Sequence, residues 1–337
     1  SAYYDLVSTF LFYSPAWFFD LNATLNWKLN SRNRLSLRYF QSKDDMDLSF
    51  GTFYSYFNPT FDTDVFEDYD LIYSNKWNNR AATAILKTIL TPSIYLRTQV
   101  SGSFFSSKNL SLLDFEYTDE ETDETYKLSY NTDMRNRIRD IGAKISMTAN
   151  LNSSHTLKLG GEYNDYYFSN DISINNFSEG KTSLRPSLLA LFAEEKLQTS
   201  RLTMRAGVRA TKYSYLDDWH YEPRVNLSIS FPWEINLRAA WGHYYQYIIS
   251  INSQEYEISQ FLDYYYPLRG RKPSASVHKV VGFDKSLGKR LDLSLDFYHK
   301  DLQRVYTFDY NLSESEAYRF SDKINSGTGE SYGMELM

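Results

Sequence analysis

The 337-residue chain sets 36 Lys and Arg against 42 Asp and Glu, and its net charge of −6 leaves no basic footprint for nucleic acid. Aromatic residues make up 17% of it, with 30 Tyr and 22 Phe, yet mean hydropathy is −0.52 and no run of about 18 apolar residues occurs, which excludes a transmembrane helix. Cysteine is absent, so disulfides, thiolate metal sites and thiol nucleophiles are excluded as well.

Many aromatics on a polar average suit strands with one face in lipid and one in water, and that arrangement demands alternation with period two. In chain order, Leu21, Ala23, Leu25, Trp27 and Leu29 oppose Asn22, Thr24, Asn26 and Lys28. Ile141, Ala143, Ile145 and Met147 oppose Asp140, Lys144, Ser146 and Thr148. Leu202, Met204, Ala206, Val208 and Ala210 oppose Arg201, Thr203, Arg205, Gly207, Arg209 and Thr211. Val225, Leu227, Ile229 and Phe231 oppose Arg224, Asn226, Ser228 and Ser230, and Leu291, Leu293, Leu295 and Phe297 oppose Arg290, Asp292, Ser294 and Asp296. None of these segments carries apolar residues at i, i+3 and i+4, the helical spacing.

Tight polar turns are predicted at Asn30–Asn33, Thr91–Ser93, Leu151–Ser154, Gln198–Arg201, Phe231–Trp233 and Ser286–Lys289. Longer, less regular stretches lie between them, at 43–69, 107–134, 169–183, 215–221, 246–273 and 303–327; Ser14-Pro15-Ala16 is the one short connection on that side. Short turns at one end and long loops at the other are the habit of outer-membrane barrels. Aromatics gather near strand ends (Trp17, Phe18, Phe19; Tyr213, Tyr215; Trp233; Trp241, Tyr244, Tyr245), where interfacial girdles sit. The fold expected is all-β, an antiparallel up-and-down transmembrane β-barrel, of which residues 1–337 supply about 14 strands. Ser1 in place of an initiator Met, and a chain that stops inside the strand-like Tyr332–Met337, predict a fragment cut at both ends or a chain whose signal and flanking domains lie outside this sequence.

Chemistry-bearing patterns are sparse. The five histidines, His155, His220, His243, His278 and His299, show no ligand spacing and read as surface or girdle residues, so no metal and no cofactor is expected. The acidic run Asp119–Glu124 carries carboxylates that suit a hard cation, but it lacks the Gly and spacing of a calcium loop and reads more simply as a solvated loop tip. Tyr264, Tyr265, Tyr266, Arg269, Arg271 and Lys272 share the longest late loop, with Tyr244, Tyr245 and Tyr247 near its start. Aromatic faces beside guanidinium donors can grip a sugar, a peptide or an anionic chelate; packing of the loop is the competing use. The water-facing rows carry Arg201, Arg205, Arg209, Arg224, Arg238, Asp292 and Asp296, which would line a wet lumen or bond to whatever fills it. No nucleophile–base pair and no phosphate loop is present in recognisable context, so no enzymatic activity is expected.

The stretches Leu191–Glu195, Arg201–Arg209, Glu222–Ser228, Ile235–Gln246, Lys272–Phe283 and Asp296–Leu302, with the final Gly327–Leu336, resemble the barrel of TonB-dependent receptors, in a form similar to those of Bacteroidota. The resemblance is specific over 190–337 and general before that. It implies a 22-stranded barrel of the bacterial outer membrane that imports a siderophore, cobalamin, glycan or peptide with energy from the TonB complex. It also implies a plug domain of the same protein, a contact with TonB through an N-terminal region, surrounding lipid and lipopolysaccharide, and a surface lipoprotein as partner. The sequence departs from the family pattern in lacking the plug, the TonB-contacting segment and the last strands, so the fragment alone would not close. A non-energised porin or adhesin barrel is the alternative reading.

Overall fold

A computed structural model describes residues 16–49, 68–119, 124–174, 177–251, 264–288, 291–308 and 324–337. The strands, in chain order, are β1 (Ala16–Lys28), β2 (Asn33–Ser49), β3 (Asp68–Thr91), β4 (Ile94–Asp119), β5 (Glu124–Asn150), β6 (His155–Ile174), β7 (Phe177–Leu184) and β8 (Ser187–Gln198). They continue as β9 (Leu202–Tyr213), β10 (Trp219–Phe231), β11 (Ile235–Gln246), β12 (Ile248–Ile251), β13 (Tyr264–Pro267), β14 (Ser274–Ser286), β15 (Asp292–Phe308) and β16 (Ile324–Leu336). Each main strand pairs antiparallel with its predecessor and successor, giving a 14-stranded up-and-down sheet with β7 as a side branch on β6. Among the described residues, only β12 and β13 stand apart, as a two-stranded hairpin inserted between β11 and β14. The predicted total of about 14 strands holds, although β7 enters the observed count and any strand before Ser14 lies outside the described residues.

Register explains why the apolar residues share a face. Leu25 pairs with Leu37, Leu37 with Ala84, Ala84 with Val100, and Val100 with Ala143, so one cross-strand row stays apolar over five strands. The row continues through Tyr163 and Leu189. These side chains are open on the outside: Trp27, Val100, Ile141 and Leu191 are all more than half exposed. Residues that a soluble domain would bury are turned outward here, as a lipid-facing wall requires.

The tight turns fall where predicted, with Lys289 of the last one outside the described residues. Four share one device, in which a side-chain oxygen at the start of the turn accepts backbone N–H groups further along, as Thr91 Oγ1 does from Ser93 at 3.3 Å. Asn30 Oδ1 accepts from Arg32 and Asn33, Asn152 Oδ1 from Ser154 and His155, and Thr199 Oγ1 from Leu202.

The long-loop side differs from expectation in three places. The stretch 107–134 is mostly strand: β4 and β5 pair without a register break from Ile94↔Ala149 to Asp119↔Glu124, and only 120–123 of the acidic tip lie outside the described residues. The stretch 169–183 is the β6–β7 hairpin, and part of 246–273 is the β12–β13 hairpin. Strands of 24, 26 and 27 residues in β3, β4 and β5 exceed the ~9–11 needed to cross a bilayer, so they project well past it on the long-loop side. There both faces meet water, which removes the reason for alternation and hides such strands from a periodicity test.

Candidate functional site

The β12–β13 hairpin folds into the concavity of the sheet. Four residue pairs hold it, from Ile248↔Pro267 to Ile251↔Tyr264, and Leu268 N–H then donates to the Tyr247 carbonyl. So short a hairpin is marginal by itself and needs a surface to dock on. Ile249, Tyr266 and Leu268 supply it by packing with Phe168 of β6, Leu184 of β7 and Ile324 of β16, all buried. Tyr265 sets its ring edge-on to Phe105 of β4, 6.0 Å between centroids. A hairpin that leaves the sheet between β11 and β14, yet reaches β4, β6 and β16, defines the concave side. Phe105 and Phe168 share that face with Glu162, Arg209 and Arg224, so the polar rows look into the bore.

The base of the hairpin is tied from β15. The register shift between Leu302 and Val305 takes Arg304 out of the β16 ladder while it still pairs with Ala275 of β14, and its Nε donates to the Pro273 carbonyl at 2.7 Å. Tyr306 OH donates to the Lys272 carbonyl at 2.6 Å. Beside this base lies an aromatic cluster: Tyr213, fully buried, sits 5.6 Å from Tyr215 and 4.9 Å from Tyr247, and His220 lies 4.9 Å from Tyr245 and 5.6 Å from Tyr247. Tyr213 and Tyr215, expected in an interfacial girdle, therefore pack inward; odd positions of β9 face the bore, and Tyr213 keeps that parity.

Toward the short turns the concave wall becomes ionic. A cavity of about 630 Å³ there is lined by Lys87, Arg97, Lys144, Lys158, Lys196 and Arg205 against only Glu162 and Glu194. Glu162 receives both Lys144, at 2.9 Å, and Arg209, at 3.2 Å. Further round, Arg238 bridges Asp284, at 2.8 Å, and Asp296, at 3.1 Å, while also donating to Ser294. Gly282 makes that bridge possible. It lies between the two partners in register, and a Cβ there would stand 2.2 Å from an Asp296 oxygen and 3.1 Å from Arg238 Nε.

The family model described as "TonB dependent receptor-like, beta-barrel" matches residues 13–337. The chain belongs to the TonB-dependent receptor family. Its members are outer-membrane transport receptors rather than enzymes. No curated protein sequence matches it. Among solved structures it is similar to the RagAB peptide importer in its closed-closed state, at 10% identity with TM-score 0.60, over 96% of this chain and 44% of that one. It is also similar to a point mutant of the ferric enterobactin receptor PfeA from Pseudomonas aeruginosa, at 14% identity with TM-score 0.52, over 96% of this chain and 58% of that one. The outer-membrane transporter YddB from Escherichia coli follows, at 12% identity with TM-score 0.50, over 96% and 52%. This receptor chain thus spans roughly half the length of the structures it matches, and at these identities the likeness concerns the fold.

Within this TonB-dependent barrel the residues singled out for ligand contact occupy unlike settings. Tyr244 faces the bore with Arg224 stacked over its ring at 4.5 Å and the His278 ring 4.6 Å away. Tyr245 lies between His220 and His243, 4.9 and 5.1 Å from them. Tyr264 pairs with Ile251 through the backbone, and its side chain lies outside the described residues. Tyr265 is partly buried, while Tyr266 is 6% exposed inside the docking cluster. Arg269 is exposed and lies over Tyr215 at 5.6 Å; Arg271 is half-buried near Tyr306.

Of the residues predicted to face the lumen, Arg205, Arg209 and Arg224 lie on the concave face of β9 and β10, Arg238 on β11, and Asp292 and Asp296 on β15. Arg224 pairs with the buried Glu222, and Asp292 accepts from Ser286 at 2.6 Å. Arg201 stands in the turn before β9, exposed at the rim. Sequence reading missed Phe168 as part of the hairpin dock and Tyr213 and His220 as parts of the aromatic cluster beside it, because the contacts are made across β6, β9, β10 and the inserted hairpin.

Proposed function

We propose that the chain forms much of the barrel of an energised outer-membrane importer, capturing a scarce nutrient at its long-loop end. The observation that carries this reading is the β12–β13 hairpin, tied into the bore by Arg304 and Tyr306 with Arg269 and Tyr244 beside it. A docked hairpin narrows the passage, and a narrowed passage suits capture and gating better than free diffusion. Aromatic faces next to guanidinium groups favour a ligand bearing carboxylate or amide groups, within the siderophore, cobalamin, glycan and peptide classes.

On this reading a plug domain of the same protein fills the ionic half of the bore. TonB supplies energy through that plug, and a surface lipoprotein can cap the long-loop end. The test is uptake by cells expressing the full-length receptor, with and without a functional TonB complex. Uptake that collapses without TonB, and that falls at least tenfold in the Tyr244→Ala/Arg269→Ala double variant, supports the reading. TonB-independent permeation of small solutes would replace it with a passive porin.

A further inference from the structure

The outward face of β3–β6 carries a row that the importer reading leaves unused. On β5 the outward positions read Met147, Ile145, Ala143 and Ile141 from the short-turn end and then change abruptly to Arg139 and Arg137. Neighbouring strands change at the same register: Ala84 and Ala82 give way to Arg80 on β3, and Val100 and Gly102 to Phe104 on β4. Arg80 pairs with Phe104, Phe104 with Arg139, and Arg139 with Tyr167. Beyond Tyr167 stands Arg185, in the link between β7 and β8. Both guanidinium groups lie against the Tyr167 ring, Arg139 at 5.6 Å and Arg185 at 5.2 Å from its centroid. Arginine and aromatic side chains therefore alternate across the wall, directly above the apolar band.

This row differs from an ordinary solvated rim. Farther from the membrane on the same face, cations come with carboxylates: Lys76 with Asp45, and Lys108 and Arg135 with Asp133. Among the described residues, Arg80, Arg139 and Arg185 make no ion pair. The nearest outward carboxylate, Asp165, sits one step below the row, opposite Ile141. Successive arginines are two strands apart, about 10 Å at the usual ~4.8 Å strand spacing. Flanking aromatics suit the headgroup level of a bilayer, and a planar guanidinium held on a ring is oriented to bind phosphate through two N–H groups.

We infer that Arg80, Arg139 and Arg185, spaced by Phe104 and Tyr167, form a binding site for phosphate groups of an anionic lipid in the outer leaflet. The site rests on the proposed orientation, with the long-loop end outward. Labelling of an Asp217→Cys variant on intact cells checks that orientation independently, since binding in micelles does not depend on sidedness.

The test uses the full-length receptor in neutral detergent micelles, titrated with bisphosphorylated lipid A and with the same lipid after phosphate removal. The intact lipid should bind, and dephosphorylation should weaken binding at least about tenfold. The Arg80→Gln/Arg139→Gln/Arg185→Gln variant should lose the same tenfold, while Lys76→Gln/Lys108→Gln binds as the parent does. Unchanged heat-modifiable mobility confirms that each variant is folded. Equal binding by the triple variant, or by the dephosphorylated lipid, overturns the inference. So does full competition by millimolar inorganic phosphate, which would mark a free-anion site.

Discussion

The walls β2–β6 and β9–β15 are built from the same alternation and put it to opposite uses. In β2–β6 the pairing is long and nearly unbroken, with one shift at Ile89/Thr91 in the turn, and the unusual chemistry points outward as the arginine–aromatic row. In β9–β15 the strands are shorter, the ladder breaks at Ala275/Ser276, and the unusual chemistry points inward as the docked hairpin and the Arg238 bridge. A β-ladder that is never interrupted can only repeat its two faces. The β12–β13 segment leaves the wall where the β11–β14 ladder ends, at Gln246↔Ser274, and from there enters the bore. The first wall thus presents its unusual side chains outward and the second inward.

The largest effect that separates the walls should come from the hairpin dock. Phe168→Ala should cost about 3–5 kcal/mol and Leu268→Ala about 2–5 kcal/mol, because both side chains are buried and the cluster cannot collapse around the loss. Val100→Ala, on the outward face of β4, should cost well under 1 kcal/mol, since lipid fills the space it leaves. Urea unfolding of the refolded barrel and protease cutting within 248–267 would measure both. Equal costs at Phe168 and Val100 would erase the distinction between the walls.

A glycine comparison comes next. Gly282→Ala forces a methyl group against Asp296 and Arg238 and should cost about 1–3 kcal/mol by overpacking. Gly102→Ala on β4 meets nothing closer than the Asp140 carbonyl at 3.8 Å and should be neutral or slightly stabilising. If the two behave alike, Gly282 is not what admits the bridge. Arg238→Ala should cost about 1 kcal/mol, the pair being partly open to water, and Lys76→Ala at the exposed Asp45 pair less than half of that. Raising the salt concentration should shrink both and reduce the difference between them.

How much of this was legible beforehand follows from the same contrast. Wherever one face meets lipid, alternation shows: Leu21 to Leu29 and Ile141 to Met147 could be placed residue by residue, and the tight turns with them. It fails past the membrane, where Lys108, Leu110 and Leu112 continue a strand whose faces are both wet. It also fails for β12 and β13, four residues each, because Ile248–Ile251 and Tyr264–Pro267 are too short to show a period. The cluster joining Phe168, Leu268 and Ile324 draws on segments tens of residues apart, and no local pattern announces it. The same holds for Arg80, Arg139 and Arg185: each alone reads as the end of an apolar run, and only the register aligns them.

An effect of the opposite sign, a gain in stability, sits in the turns. Where Asn30 and Asn152 carry the turns beside β2 and β6, a side-chain oxygen does the work and no residue is strained. The β10–β11 turn instead holds Trp233 at φ 65° and Glu234 at φ 58°, the left-handed region in both cases. That conformation costs an ordinary residue roughly 1–2 kcal/mol, and glycine nothing. Glu234→Gly should therefore recover about 0.5–1 kcal/mol after the added freedom of the unfolded chain is subtracted. Trp233 is the poorer place to test this, since it is 82% exposed at the rim and its ring suits the lipid interface. Replacing it would remove an anchor together with the strain. An upward shift in the urea midpoint for Glu234→Gly, with unchanged slope, would locate the strain in the backbone. A downward shift would mean that the Glu234 side chain or its carbonyl, which accepts from Ser286 N–H at 3.4 Å, contributes more than the conformation costs.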